Sequence, residues 1–225
     1  MRADRPVCFS LPATAAPLPP DVPIRLSLAD GQAAALGELL QLLACGEESA
    51  ALAFAALAGR PAIAASETLS QIAADERAHD RWLQRLRRAT PEPARDQPLR
   101  LALLRFFNGL CADSAGLHFA NIVALDSAVC VILGSLLARG RPLARDADAA
   151  CLLGRIRSDE SRHVRLAREL TRALATPGQA VSAARTTRAG LVDLLARRAA
   201  ALEMLEVDPD RLFQRLARVS PGLVS

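Results

Sequence analysis

Apolar residues recur along most of this chain at three- and four-residue spacing, the pattern of helices that bury one face. Leu36, Leu40, Leu43, Ala44, Ala51, Phe54 and Ala58 form one such stripe. It predicts a helix from about Gly31 to Ala58, ended by Gly59 and Pro61. A second helix is predicted from Ala62 or Ser66 to Ala89, stopped by Thr90-Pro91-Glu92-Pro93. Leu99 to Leu110 reads as a helix or the start of one, and Asp113 as the cap of a long apolar helix ending near Arg139-Gly140-Arg141-Pro142. Asp146 opens a helix to about Leu174, stopped by Pro177-Gly178; another spans roughly Val181 to Glu206. Asp208-Pro209 supplies a cap and first-turn proline for a last short helix. No strand-like alternation runs longer than a few residues, so the fold class is all-α, with four core helices and additional C-terminal ones.

The same pattern divides the chain. Residues 1–30 form a proline-rich arm with no helix, residues 31–176 the bundle, and residues 177–225 a C-terminal helical extension that packs on it. Phe119 to Ala138 is almost wholly apolar but is interrupted by Asn121, Asp126 and Ser127. A charge at bilayer centre is expensive, so this predicts a helix buried on all sides within a bundle and no membrane span. Peripheral membrane contact stays open.

The interruption is informative when set beside two short repeats. Asp75-Glu76-Arg77-Ala78-His79 and Asp159-Glu160-Ser161-Arg162-His163 are both DExxH, and they hold two of the three histidines in the chain. Residues three apart share a helix face, so Glu76 with His79, and Glu160 with His163, can each bind one metal. A Glu-x-x-His on each of two helices is half the ligand set of a dimetal carboxylate bundle; the other half is one carboxylate from each remaining helix. On the first helix Glu47 lies in the middle of the apolar stripe and Glu48 on its flank, so Glu47 is preferred and Glu48 is the second choice. On the third helix the only carboxylate in the apolar run is Asp126, amid Phe119, Ile122, Val123, Val129 and Leu133. A lone buried acid is costly unless it is paired or metal-bound. The intervals from Glu47 to Glu76 and from Asp126 to Glu160 are 29 and 34 residues, an internal repeat. The candidate ligands and catalytic residues are therefore Glu47, Glu76, His79, Asp126, Glu160 and His163. Asp75 and Asp159 are assigned as acceptors for the free ring N–H of the histidine in the opposite motif. Arg77 and Arg162 are expected to face outward or to pair with carboxylates at the bundle edge. His118, two turns before Asp126, is an added ligand, a proton donor or a core histidine; Trp82 is core or a wall of the site.

Composition narrows the setting. The chain has 225 residues, 51% of them apolar, enough for one sizeable core. Its net charge is +4, carried by arginine alone, and the Arg85-Leu86-Arg87-Arg88 cluster has no aromatic partners, so no nucleic acid is expected. Five scattered cysteines without a CxxC pair exclude a zinc-ribbon or rubredoxin-type site. The odd cysteine count and the absence of an apolar run after the starting MRAD predict a reducing cytoplasm.

The pattern E…DExxH…D/E…DExxH, from about Gly31 to Leu174, resembles the ferritin-like di-iron carboxylate superfamily. Cys45-Gly46-Glu47 is similar to the Gly-Glu pair on the first helix of aldehyde-deformylating oxygenases and demethoxyubiquinone hydroxylases; Asp126 departs from both. The resemblance implies a ferritin-like four-helix bundle holding two iron ions, with manganese as the competing metal. It implies a non-haem oxidoreductase that uses O₂ as co-substrate on a small organic molecule: hydroxylation, N-oxygenation, desaturation or C–C cleavage. Electrons would come from an external reductase or ferredoxin, and a homodimer is left open. The alternatives are a ferroxidase or iron-storage protein and a manganese catalase.

Overall fold

The computed structural model describes residues 23–60, 63, 65–112, 114–219 and 222. Among them there is no strand. The helices are α1 (Asp30–Ala58), α2 (Ser66–Arg88), α3 (Gln97–Leu110), α4 (Ala115–Leu136), α5 (Pro142–Arg145), α6 (Ala147–Leu174), α7 (Pro177–Ala196), α8 (Ala199–Met204) and α9 (Pro209–Ala217). α1 packs along α2, and α4 along α6; the short connections make each pair an antiparallel hairpin. The pairs meet across α2 and α6, α7 and α9 cover α4, and α8 rests on α1.

Two apolar clusters fill the interior. One joins Leu36, Leu40, Leu83, Leu86, Leu133 and Leu153; the other joins Phe54, Leu57, Leu69, Phe119, Val123 and Ala167. Each fully buried large side chain among them stabilises the fold by about 1.5–3 kcal/mol. On α1, α2, α4 and α6 alike, the chain passes from one cluster to the other through an acidic residue or an acid–histidine pair. α4 and α1 are long and apolar enough to cross a membrane by length and composition; in α4 72% of the most apolar stretch is buried by the rest of the protein, in α1 39%. Gly116 is required where α4 begins, because a Cβ there would strike the Leu174 carbonyl at the end of α6.

The helix boundaries differ from the sequence pattern in several places: Pro142–Arg145 is a helix of its own, and α7 begins at Pro177 where Val181 was predicted. Asp113, read as the cap of α4, lies outside the described residues, and Ser114 occupies the cap position. Leu99–Leu110 belongs to a full helix because the Asp96 carboxylate accepts from the Leu99 N–H at 2.9 Å and Pro98 sits in the first turn. The single helix predicted over Val181–Glu206 is two, broken at Arg197–Arg198 without glycine or proline. The break turns Leu202 and Leu205 into the core and lets Arg198 donate to Asp96 at 2.8 Å.

Of the arm, Pro23–Ala29 is extended, with Ile24, Leu26 and Leu28 turned toward the core and Arg25 and Ser27 outward. The N–H groups of Arg25 and Ser27 donate to the carboxylates of Asp148 and Asp146. Asp146 also caps α6, accepting from the Ala149 N–H at 2.8 Å.

Candidate metal centre

Glu47 (α1), Glu76 and His79 (α2), Asp126 (α4), and Glu160 and His163 (α6) are each no more than 5% exposed. One ligand atom from each of Glu47, Glu76, His79 and Glu160 lies within 4.8 Å of all the others. His79 Nδ1 is 3.1 Å from Glu47 Oε2, 3.3 Å from Glu76 Oε2 and 3.2 Å from Glu160 Oε1. His163 Nδ1 is 2.8 Å from Glu76 Oε1 and 3.9 Å from Glu160 Oε2. Glu76 and Glu160 thus lie between two imidazoles whose ring centres are 5.8 Å apart.

Proximity here is not mutual satisfaction. Of these inner contacts, only that between Glu47 and His79 Nδ1 has hydrogen-bond alignment. Both oxygens of Glu76, Oε1 of Glu160, Oδ2 of Asp126 and Nδ1 of His163 are buried without a hydrogen-bond partner, so the 2.8 Å approach of His163 to Glu76 is a contact and not a bond. An uncompensated buried charge costs several kcal/mol. Atoms that converge without bonding one another share a common centre. Carboxylate oxygens and imidazole nitrogens at this spacing are the donors that a divalent metal ion takes, and the residues fit one.

The electrostatics carry the same signature. Burial pushes the carboxyls of Glu47 and Asp126 well above their ordinary range, and neighbouring carboxylates add to it. Glu160 is raised as well, by burial and then by Glu76. Burial also opposes ionisation of Glu76, but the imidazoles of His163 and His79 outweigh it and hold that carboxyl down at about 2. Burial works against the charged form of both histidines, yet the acids around them raise each one.

The far ring nitrogens face outward, and their partners cross between the motifs. His79 Nε2 is 3.3 Å from Asp159 Oδ2, and His163 Nε2 is 3.4 Å from Asp75 Oδ2. Each imidazole therefore presents Nδ1 to the cluster and is held at Nε2 by the other motif's aspartate. Trp82 is half-buried against His79, with ring centres 5.5 Å apart, and Arg155 lies 5.0 Å over its indole. It is thus a wall of the centre.

Of the residues the sequence left as alternatives, neither Glu48 nor His118 joins the cluster. Glu48 is exposed, because one residue turns a helix by about 100° away from Glu47. It lines a separate cleft of about 660 Å³ with Asp80, Arg87 and Arg100, which contains none of the six clustered residues. His118 is buried two turns from Asp126, and the structure gives it no contact with the cluster; burial, then Arg60, lowers its pKa. Asp126 stays outside the tight four-residue group, but it shares a cavity of about 40 Å³ with Glu47, Glu76 and Glu160. The rest of that cavity is apolar, and Phe107, Leu191 and Leu195 close it. Sequence reasoning did not assign these three, because α3 and α7 lie outside the repeat; their only signal was helical apolar spacing. No family model, curated protein or solved structure matches this chain.

Proposed function

We propose that α1, α2, α4 and α6 form a ferritin-like four-helix bundle whose buried cluster holds two iron ions, and that the protein is a non-haem di-iron oxidoreductase acting with O₂ on a small organic substrate. The observation that carries this reading is the set of four buried carboxylates and two imidazoles, five of whose polar atoms have no hydrogen-bond partner. With neutral imidazoles the four carboxylates balance the charge of two divalent cations. His79 and His163 would each hold an ion through Nδ1, and the carboxylates to join them would be Glu76 and Glu160, which lie close to both imidazoles, Glu47, which meets His79, and Asp126, which lines the same cavity as the three glutamates. Such a pair supplies O₂ activation when bound, with electrons from an external one-electron donor. The protein's own part is to hold the imidazoles at fixed angle and to keep water out. The apolar wall of Phe107, Leu125, Leu191 and Leu195 beside the carboxylates favours a small, uncharged organic substrate over a hydrated iron ion moving to a mineral store.

The test is metal content after purification with iron supplied, followed by absorbance on mixing the anaerobic Fe(II) protein with O₂. About two irons per chain with a transient visible band support the reading. A folded protein without stoichiometric metal overturns it, and a large shell with a mineral core replaces it by the ferroxidase reading.

A further inference from the structure

Arg162 sits at the outer edge of the centre, 53% exposed, and its guanidinium spans both motifs. Nη1 donates to Asp159 Oδ1 and Nη2 to Asp75 Oδ2, each at 2.9 Å. The same two aspartates hold Nε2 of His79 and of His163. One side chain thus closes a chain that runs from one imidazole through an aspartate, a guanidinium and a second aspartate to the other imidazole. The planar fork of arginine suits two carboxylates at once, as a lysine would not. The repeat does not supply this twice: Ala78 stands where the first motif would carry the equivalent arginine. Gln71 adds one further bond, to Asp75 Oδ1 at 3.1 Å.

We infer that Arg162 is a positioning residue for both histidines, fixing the two ring orientations together so that both Nδ1 atoms face the cluster. The inference rests on the metal-centre reading above. An exposed ion pair contributes little to stability, so an ordinary surface role predicts no effect beyond Arg162 itself. The positioning role predicts a paired effect at two imidazoles on different helices.

The experiment uses the full chain, ¹⁵N-labelled and metal-free, with three histidines to assign. In Arg162→Ala the imidazole N–H signals of both His79 and His163 shift or exchange with water, while His118 is unmoved and the fold persists by circular dichroism. Co(II) titration then shows affinity falling by about 10–100-fold at both binding steps together. The double variant Arg162→Ala/Ala78→Arg returns the guanidinium from the other motif and restores both imidazole signals. Unchanged imidazole signals in Arg162→Ala overturn the inference, as does a change at only one histidine, or a swap that restores neither. If the unaltered protein binds no Co(II), the metal-centre reading fails, and the imidazole signals still decide whether Arg162 couples the two rings.

Discussion

On the α1–α2 side of the centre, Glu47 reaches His79 at 3.1 Å, and Glu76, Glu160 and Asp159 complete a ring of four carboxylates around that imidazole. On the α4–α6 side, the corresponding acid is one methylene shorter, and Asp126 Oδ2 has no hydrogen-bond partner. Among the described residues, three acids approach His163: Glu76, Glu160 and Asp75. The two halves repeat in sequence but differ in reach. The His79 imidazole has acids at both ring nitrogens within 3.1–3.3 Å, whereas His163 has one such approach at 2.8 Å and others at 3.4 and 3.9 Å. The difference separates a closely surrounded imidazole from a more loosely surrounded one.

The strongest way to break that comparison is to remove what both halves share. Glu76→Ala takes away the carboxylate between the two imidazoles, and metal bound per chain should fall from about two to near zero in equilibrium dialysis. Next comes inequality between the halves. His79→Ala should weaken the first binding step by more than about 100-fold, and His163→Ala should spare that step and remove the second; Co(II) titration reads both. Equal losses would erase the distinction.

The third test acts on Asp126. Asp126→Asn removes a carboxyl that burial makes costly to ionise, so above the raised Asp126 pKa it should increase metal-free stability by about 1–3 kcal/mol in denaturant unfolding, with little change below it, while weakening the second metal step. Asp126→Glu should strengthen that step by extending the reach.

A fourth test is pH. Glu47, Asp126 and Glu160 are raised in the folded state, so the folded protein binds more protons than the unfolded chain above the ordinary carboxylate range. The raised histidines act in the same direction, since their stabilisation is present below about 6.5 and is lost as pH rises toward the folded value. Glu76, held down at about 2, opposes only below its ordinary value of 4.5, where its own contribution is lost as pH falls. Metal-free stability should therefore decline from about pH 5 to 8, by up to about 1.4 kcal/mol per pH unit for each proton bound differentially. The metal-loaded protein should gain over the same range, because its ligands must be deprotonated. Thermal melts of both forms check the opposite slopes. The smallest effect belongs to Glu48→Gln, which faces a different cleft and should leave metal binding unchanged and stability within about 0.5 kcal/mol.

The residues that were legible in the sequence share a cause. Glu76, His79, Glu160 and His163 show as a repeat at helical spacing, and Glu47 was separated from Glu48 by the apolar stripe around it. Both signals are local, and so they survive in one dimension. The break at Arg197–Arg198 was not legible, because no breaker residue marks it and it is set by Leu202 and Leu205 packing into the core. Phe107, Leu191 and Leu195 reach the centre from helices that carry no part of the repeat. The clamp of Arg162 on two aspartates depends on α2 and α6 meeting, and one chain position of the pair lies 87 residues from the other.

The docked arm has a consequence for timing. Arg25 and Ser27 are tied to Asp148 and Asp146, 123 and 119 residues later in the chain. At roughly 5–20 residues per second, a ribosome leaves that strap without its anchor for about 3–12 seconds after the α1–α2 hairpin has been made. Over the same interval Glu47, Glu76 and His79 are present without Glu160 and His163, so the nascent chain carries half a chelating site on an unfinished protein. The strap closes on the residues that start α6, the last helix the centre needs. Its anchor is therefore complete 12 residues before Glu160 and 15 before His163, so the strap can close before the last two of the cluster's ligands are made.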